Sequence, residues 1–133
     1  MACECSTPKC SLACRLPAPT QPTLRATNHG TLALAHNGNL TNTRELFELV
    51  QQLDTETPKG ARGATTDTEI MTALISLQIE KNLAASALSI LPKLEGAFSL
   101  VFMDEHTLYA ARDRHGVRPL VIGKLERGWV VAS

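Results

Sequence analysis

In His36-Asn37-Gly38 a side-chain amide stands next to a glycine N–H, and Asp67 follows further along in Thr65-Thr66-Asp67-Thr68-Glu69. These residue types suit one kind of chemistry. Two donors can stabilise an oxyanion as it forms, and a carboxylate can hold the ammonium of a free amino acid beside it. Leu34-Ala35-His36-Asn37-Gly38-Asn39-Leu40 is expected to run as a strand into a tight Asn-Gly turn and then a helix. Asp67 falls in the opening turn of a second helix, where unpaired amides and the helix dipole favour negative charge. Plainer readings stand beside these. Asn-Gly serves most often as a turn with positive φ, and an acid in a first helical turn is common. A helix rather than a return strand follows Gly38, so the pair does not read as a plain hairpin. A nucleophile to complete the set is not evident.

The elements that must position these groups alternate between strand and helix. Thr31 to His36 is a short apolar β run. A helix follows, capped by Asn42 with Glu45 three residues on, as a capping box requires. In that helix Leu46, Leu49, Val50 and Leu53 form one buried stripe. Thr55 to Ala64, with Pro58, Gly60 and Gly63, reads as a polar loop. A second helix opens at Thr66, where Glu69 completes another box, and Ile70, Met71, Leu74, Ile75 and Leu77 are its apolar side. Leu83 to about Leu94 reads as a third helix, bent near Pro92. The last third switches to period two. Ala97–Met103 and Thr107–Ala111 flank Asp104-Glu105-His106 as a hairpin, and Leu120–Gly123 and Gly128–Ala132 flank Lys124-Leu125-Glu126-Arg127 as another. His36 reads as a strand-end residue, Arg112 and Asp113 as pins for their loop, and Trp129 as core.

Composition limits the function classes. With 133 residues the chain can bury one ordinary core. Thirteen basic residues balance thirteen acidic ones, and aromatics are only 4%. Neither an electrostatic field nor a stacking surface for nucleic acid is present. Apolar runs fall short of the roughly 18–20 residues that cross a bilayer, and no basic-then-apolar leader marks secretion. The expectation is a cytoplasmic protein without nucleic-acid or membrane partners. Cys3, Cys5, Cys10 and Cys14 all lie in the first fourteen residues. Four thiolates suffice for one zinc ion, but the segment lacks paired C-x-x-C knuckles and prolines interrupt its second half, so no metal ligand is assigned. Residues 1–20 read as an irregular Cys/Pro-rich leader of doubtful origin.

Five segments in order carry a resemblance. They are His36-Asn37-Gly38-Asn39-Leu40, Thr66-Asp67-Thr68-Glu69, Gly96-Ala97-Phe98-Ser99-Leu100-Val101-Phe102-Met103, Arg112-Asp113-Arg114-His115-Gly116-Val117-Arg118-Pro119-Leu120 and Gly128-Trp129-Val130-Val131-Ala132-Ser133. Together they resemble the glutaminase domain of the amidophosphoribosyltransferase family, class II glutamine amidotransferases of purine synthesis. The resemblance runs from about Gln21 to Ser133. Asparagine synthetases share the first turn and a similar R-D-x-x-G-x-[KR]-P-L run, and are the alternative.

The resemblance implies an α+β fold: part of an αββα four-layer sandwich of the Ntn-hydrolase type, with antiparallel sheets and without its N-terminal strands. Residues 21–133 would form this partial domain, with the phosphoribosyltransferase domain absent. In such enzymes an N-terminal cysteine attacks the glutamine side-chain amide, with its own α-amine as base. By position Asn37 and Gly38 match the oxyanion donors, and Asp67 matches the carboxylate that takes the α-ammonium of glutamine. The nucleophile is expected to be missing, because Met1 removal exposes Ala2 and leaves Cys3 one residue short of a free amine. The arginine segment that holds the glutamine carboxylate is missing too. No cofactor is expected in this chain. The parent enzyme would use magnesium at its phosphoribosylpyrophosphate site and be a homo-oligomer, with an iron–sulfur cluster left open. The isolated chain is expected to be inactive and, with one sheet edge bare, prone to associate. A non-catalytic remnant with a metal-binding leader is the further alternative.

Overall fold

The computed structural model describes residues 21–27, 30–54, 66–78 and 82–133. The cysteine-rich leader and the loop expected at 55–64 therefore lie outside the described residues. Strands β1 (Thr23–Thr27), β2 (Gly30–Leu40), β3 (Gly96–Met103) and β4 (Leu108–Arg112) make one antiparallel sheet in the order β1-β2-β3-β4. Between β2 and β3 come helices α1 (Thr43–Leu53), α2 (Asp67–Leu77) and α3 (Leu83–Ile90), with a 3₁₀ turn, Leu91–Lys93, around Pro92. Strands β5 (Val121–Leu125) and β6 (Gly128–Ala132) form a separate antiparallel pair.

The sheet is two-faced because side chains alternate across it. Leu32, Leu34 and Leu40 of β2 and Phe98, Leu100 and Phe102 of β3 are buried on one face against the helices. Helix α2 is apolar nearly all round and buries Ile70, Met71, Leu74 and Ile75, as expected of a helix sandwiched between a sheet and other helices. Helix α1 is amphipathic and buries only Leu46 and Val50. The other face of the sheet carries Leu24, Met103 and Leu108, all exposed. Among the described residues this gives two sheets and one helical layer, so the α+β class with antiparallel sheets holds.

Several local expectations change. Strand β2 does not stop at His36; it continues through Asn37-Gly38 to Leu40, so the Asn-Gly pair lies inside a strand and makes no turn. Gly38 has φ 143°, and a Cβ there would run into the Ala97 carbonyl oxygen and lie 2.8 Å from Phe98 Cα. Glycine is needed for close approach of two strands, which the sequence presented as turn chemistry. The Asn42 side chain does not cap α1. It reaches across instead, donating to Lys93 O at 2.9 Å and accepting from Glu95 N at 3.1 Å. Trp129 is 68% exposed, with Lys124 Nζ 5.9 Å from its ring centre; the described residues provide no core over that face of the hairpin. The turn between β5 and β6 is shorter than expected, since β5 runs to Leu125. Strand β1 had no sequence signal of its own.

Other expectations hold. Thr66 caps α2, accepting from Glu69 N while Glu69 accepts from Thr66 N, a complete capping box. The third helix starts at Leu83 and changes course near Pro92 as read, but it ends at Ile90 and passes into the 3₁₀ turn Leu91–Lys93 instead of running on to Leu94. The β3–β4 hairpin turns on Asp104, whose Oδ1 accepts from His106 N at 2.8 Å and Thr107 N at 2.7 Å.

Candidate active site at the open edge of β2

The pairing pattern of β2 determines which way its backbone points. Strand β1 pairs with β2 only as far as Thr23↔Leu34. Beyond that no strand pairs with the edge of β2 among the described residues. In an antiparallel ladder, residues alternate between hydrogen-bonded and non-bonded pairs. Gly38 pairs with Phe98, yet Phe98 turns its own backbone the other way: its N–H donates to Asp113 Oδ2 at 3.2 Å and its carbonyl accepts from Asp113 N at 2.9 Å. Gly38 is thus a non-bonded pair, and its N–H points out to the open edge. His36 and Leu40, two residues to either side, obey the same alternation. His36 N donates to Gln21 Oε1 at 2.6 Å, and Leu40 N donates to Asp67 Oδ2 at 2.8 Å. The Gly38 N–H stands between these two without an acceptor among the described residues.

Asp67 is the first residue of α2. Its Oδ1 also accepts from Thr43 Oγ1 at 3.1 Å, so each carboxylate oxygen has one donor and keeps acceptor capacity for another. Gln21 closes the other end of the edge, donating from Nε2 to Thr68 Oγ1 at 3.4 Å. The structure therefore brings Gly38 and Asp67 to one strand edge. The Asn37 side chain lies on the face of the sheet away from the helices, where Nδ2 donates to Ser133 Oγ at 3.0 Å. Gln21, Thr43, Ser99 and Ser133 were not legible as site residues. Of these Ser99 and Ser133 fell inside quoted motifs, and all four act through contacts distant in sequence.

His36 sits mid-strand on the helix face rather than at a strand end. It is buried, and Nε2 has no hydrogen-bond partner among the described residues. Burial lowers its pKa from the ordinary 6.5; the negative charge of Asp67 opposes that shift and Arg118 adds to it. Asp113 does pin its loop. Burial would raise its pKa, but donation from the His115 and Val117 amides and from Phe98 N keeps it below the usual carboxylate range. A cavity of about 570 Å³ lies beside this loop, lined among others by Thr41, Leu94, Phe98, Arg112 and His115. Asn37, Gly38 and Asp67 do not line it. Among the described residues no cluster of His, Cys, Asp and Glu could hold a metal ion, and no helix is long and apolar enough to cross a membrane.

Comparison with known proteins bears on the family and the fold. Residues 10–133 match the model of the glutamine amidotransferase domain family, a match that begins ahead of the boundary expected at residue 21. The amidophosphoribosyltransferase of Mycobacterium leprae (strain TN) is 48% identical over 115 residues, covering 85% of this chain and 21% of that protein. Amidophosphoribosyltransferase 2, chloroplastic, of Arabidopsis thaliana is 36% identical over 111 residues, covering 84% of this chain and 19% of that one. The chain thus spans about a fifth of the length of such relatives. Among solved structures, the glutamine phosphoribosylpyrophosphate amidotransferase of B. subtilis, complexed with ADP and GMP, superposes with a TM-score of 0.72 at 34% identity, covering 84% of this chain and 24% of its own. The match of 124 residues out of 133, with the fold and the Asn37-Gly38 strand behind it, makes this chain a member of the glutamine amidotransferase domain family.

Proposed function

We propose that this chain is the glutamine-binding part of an amidophosphoribosyltransferase, an enzyme that releases ammonia from glutamine and passes it to phosphoribosylpyrophosphate in purine synthesis. The observation that supports this best is the Gly38 N–H at the edge of β2, without an acceptor among the described residues and two residues from the Leu40 amide that anchors Asp67. In this reading the α-ammonium of glutamine sits on Asp67, using the acceptor capacity that Leu40 and Thr43 leave. The side-chain carbonyl of glutamine lies against Gly38 N–H and Asn37 Nδ2. Attack by a thiolate on that carbonyl carbon moves negative charge onto its oxygen, and each donor contributes most at that moment, typically about 3–4 kcal/mol. The chain's cysteines all lie in residues 1–20, outside the described residues, and no described side chain is assigned as nucleophile. No metal or cofactor is assigned to this half of the chemistry. A cytoplasmic setting belongs to the same reading.

Glutamine binding tests the reading through a charge-only change. Asp67→Asn keeps an acceptor for Leu40 N and a hydrogen-bonding partner for Thr43 Oγ1, so the fold is retained while the anchor for the ammonium is lost. Calorimetric titration is expected to show glutamine bound by the unaltered chain and at least about tenfold weaker binding in the variant. Equal affinity in both would remove Asp67 from the site.

A further inference from the structure

Asn37 can stabilise an oxyanion only if its carboxamide presents nitrogen, and a residue far along the chain determines that. The Ser133 hydroxyl meets three groups: Pro119 O, Asn37 Nδ2 and Ser99 Oγ. A hydroxyl carries one proton and two lone pairs. The proton goes to Pro119 O at 2.8 Å, since a carbonyl can only accept. Asn37 Nδ2, at 3.0 Å, therefore donates into one lone pair and Ser99 Oγ into the other. All three capacities of the hydroxyl are filled, and each bond has one permitted direction. An Asn37 flipped end for end would set its Oδ1 against an oxygen with no proton left to give. The network thus selects the amide orientation and leaves the second Nδ2 proton without an acceptor among the described residues.

The anchors of Ser133 are firm. Ser99 is fully buried and sits opposite Asn37 in the β2–β3 ladder, so both side chains rise from the same face. Pro119 follows the loop that Asp113 holds through three amides. We propose that Ser133 is the positioning residue for Asn37. Its hydroxyl, held by Ser99 and the Pro119 carbonyl, fixes the Asn37 carboxamide so that one N–H faces the substrate oxygen. This rests on the reading of Asn37 as an oxyanion donor.

Two measurements on the full chain separate the proposal from that reading. In the ¹⁵N-labelled chain, the Asn37 side-chain amide is identified by its loss in Asn37→Asp. Ser133→Ala is expected to speed exchange of its bonded proton with water about fivefold or more, and Ser133→Thr to restore the slow rate. An Asn37 amide unchanged in Ser133→Ala overturns the proposal. The second measurement compares affinity for glutamine with affinity for norvaline, which has the α-amino and carboxyl groups but no side-chain carbonyl. Ser133→Ala should lower the preference for glutamine about five- to tenfold while norvaline binding stays constant, with recovery in Ser133→Thr. Equal weakening of both ligands would mean a general structural role and also overturn it. If the unaltered chain binds neither ligand, the function reading fails while the amide exchange still decides whether Ser133 orients Asn37.

Discussion

Two residues in β2 show how one position can serve packing and chemistry together. Gly38 lets β3 approach closely enough that a side chain would strike Ala97 and Phe98, and its φ of 143° is unfavourable for any other residue. Gly38→Ala should therefore cost roughly 2–4 kcal/mol in denaturant unfolding, well beyond the usual Gly-to-Ala effect, because the clash is with backbone that cannot swing away. Its neighbour His36 predicts a pH dependence. Burial lowers the pKa of the folded state below 6.5, so the unfolded chain binds a proton first as the pH falls. The stability linked to His36 is complete above about 6.5 and is lost as the pH drops through the lowered value. Unfolding midpoints at pH 7.5 and 5.5 should differ less in His36→Leu than in the unaltered chain. The same variant should be no less stable at pH 7.5, since it removes a buried nitrogen without a partner among the described residues.

At the scale of elements, two helix starts that look alike in sequence are built differently. Thr66-x-x-Glu69 forms its capping box, and Thr66→Ala should cost about 1 kcal/mol. Asn42-x-x-Glu45 carries the same signature, but Asn42 spends its amide bridging Lys93 O and Glu95 N, tying the start of α1 to the strand entry at Gly96. Asn42→Ser would be neutral if capping were its task. The bridge predicts instead a loss of about 1–2 kcal/mol, because a serine hydroxyl is too short to span both groups. This contrast marks what was legible in the sequence. Periodicity, Thr66, the bend at Pro92 and both late hairpins are set within a few residues and could be read locally. The strand course of Asn37-Gly38, the reach of Asn42 and the Gln21 contact to His36 depend on partners distant along the chain, and local pattern carries no information about them. Candidate residues Asn37, Gly38 and Asp67 were recognisable by type and motif. The edge that gathers Gly38 with Asp67 was not.

At the scale of the molecule, the described residues leave apolar side chains exposed on both sheets. Leu24, Met103 and Leu108 are exposed on one face of the main sheet, and Val121, Ile122, Leu125, Trp129 and Val130 on the small one. Apolar patches beside open strand edges promote self-association. Sedimentation velocity should show mass rising with concentration, and Val121→Thr combined with Trp129→Thr should suppress it. Leu88→Ser, which alters a single exposed leucine on α3, should leave it unchanged. The order of the ladder has a further consequence, in time rather than space. Strands β2 and β3 are central neighbours although more than fifty residues of sequence separate their paired positions, and three helices fill the interval. Such non-local pairing is slow to form, since the intervening loop must close before any contact stabilises it. On a ribosome Asn37 and Gly38 emerge long before Phe98 and Ser99, so until then nothing holds the glycine in its unusual conformation or directs its N–H outward. The edge that gathers Gly38 with Asp67 is therefore among the last parts of the molecule to exist, and a chain arrested before β3 would have the motif without that edge.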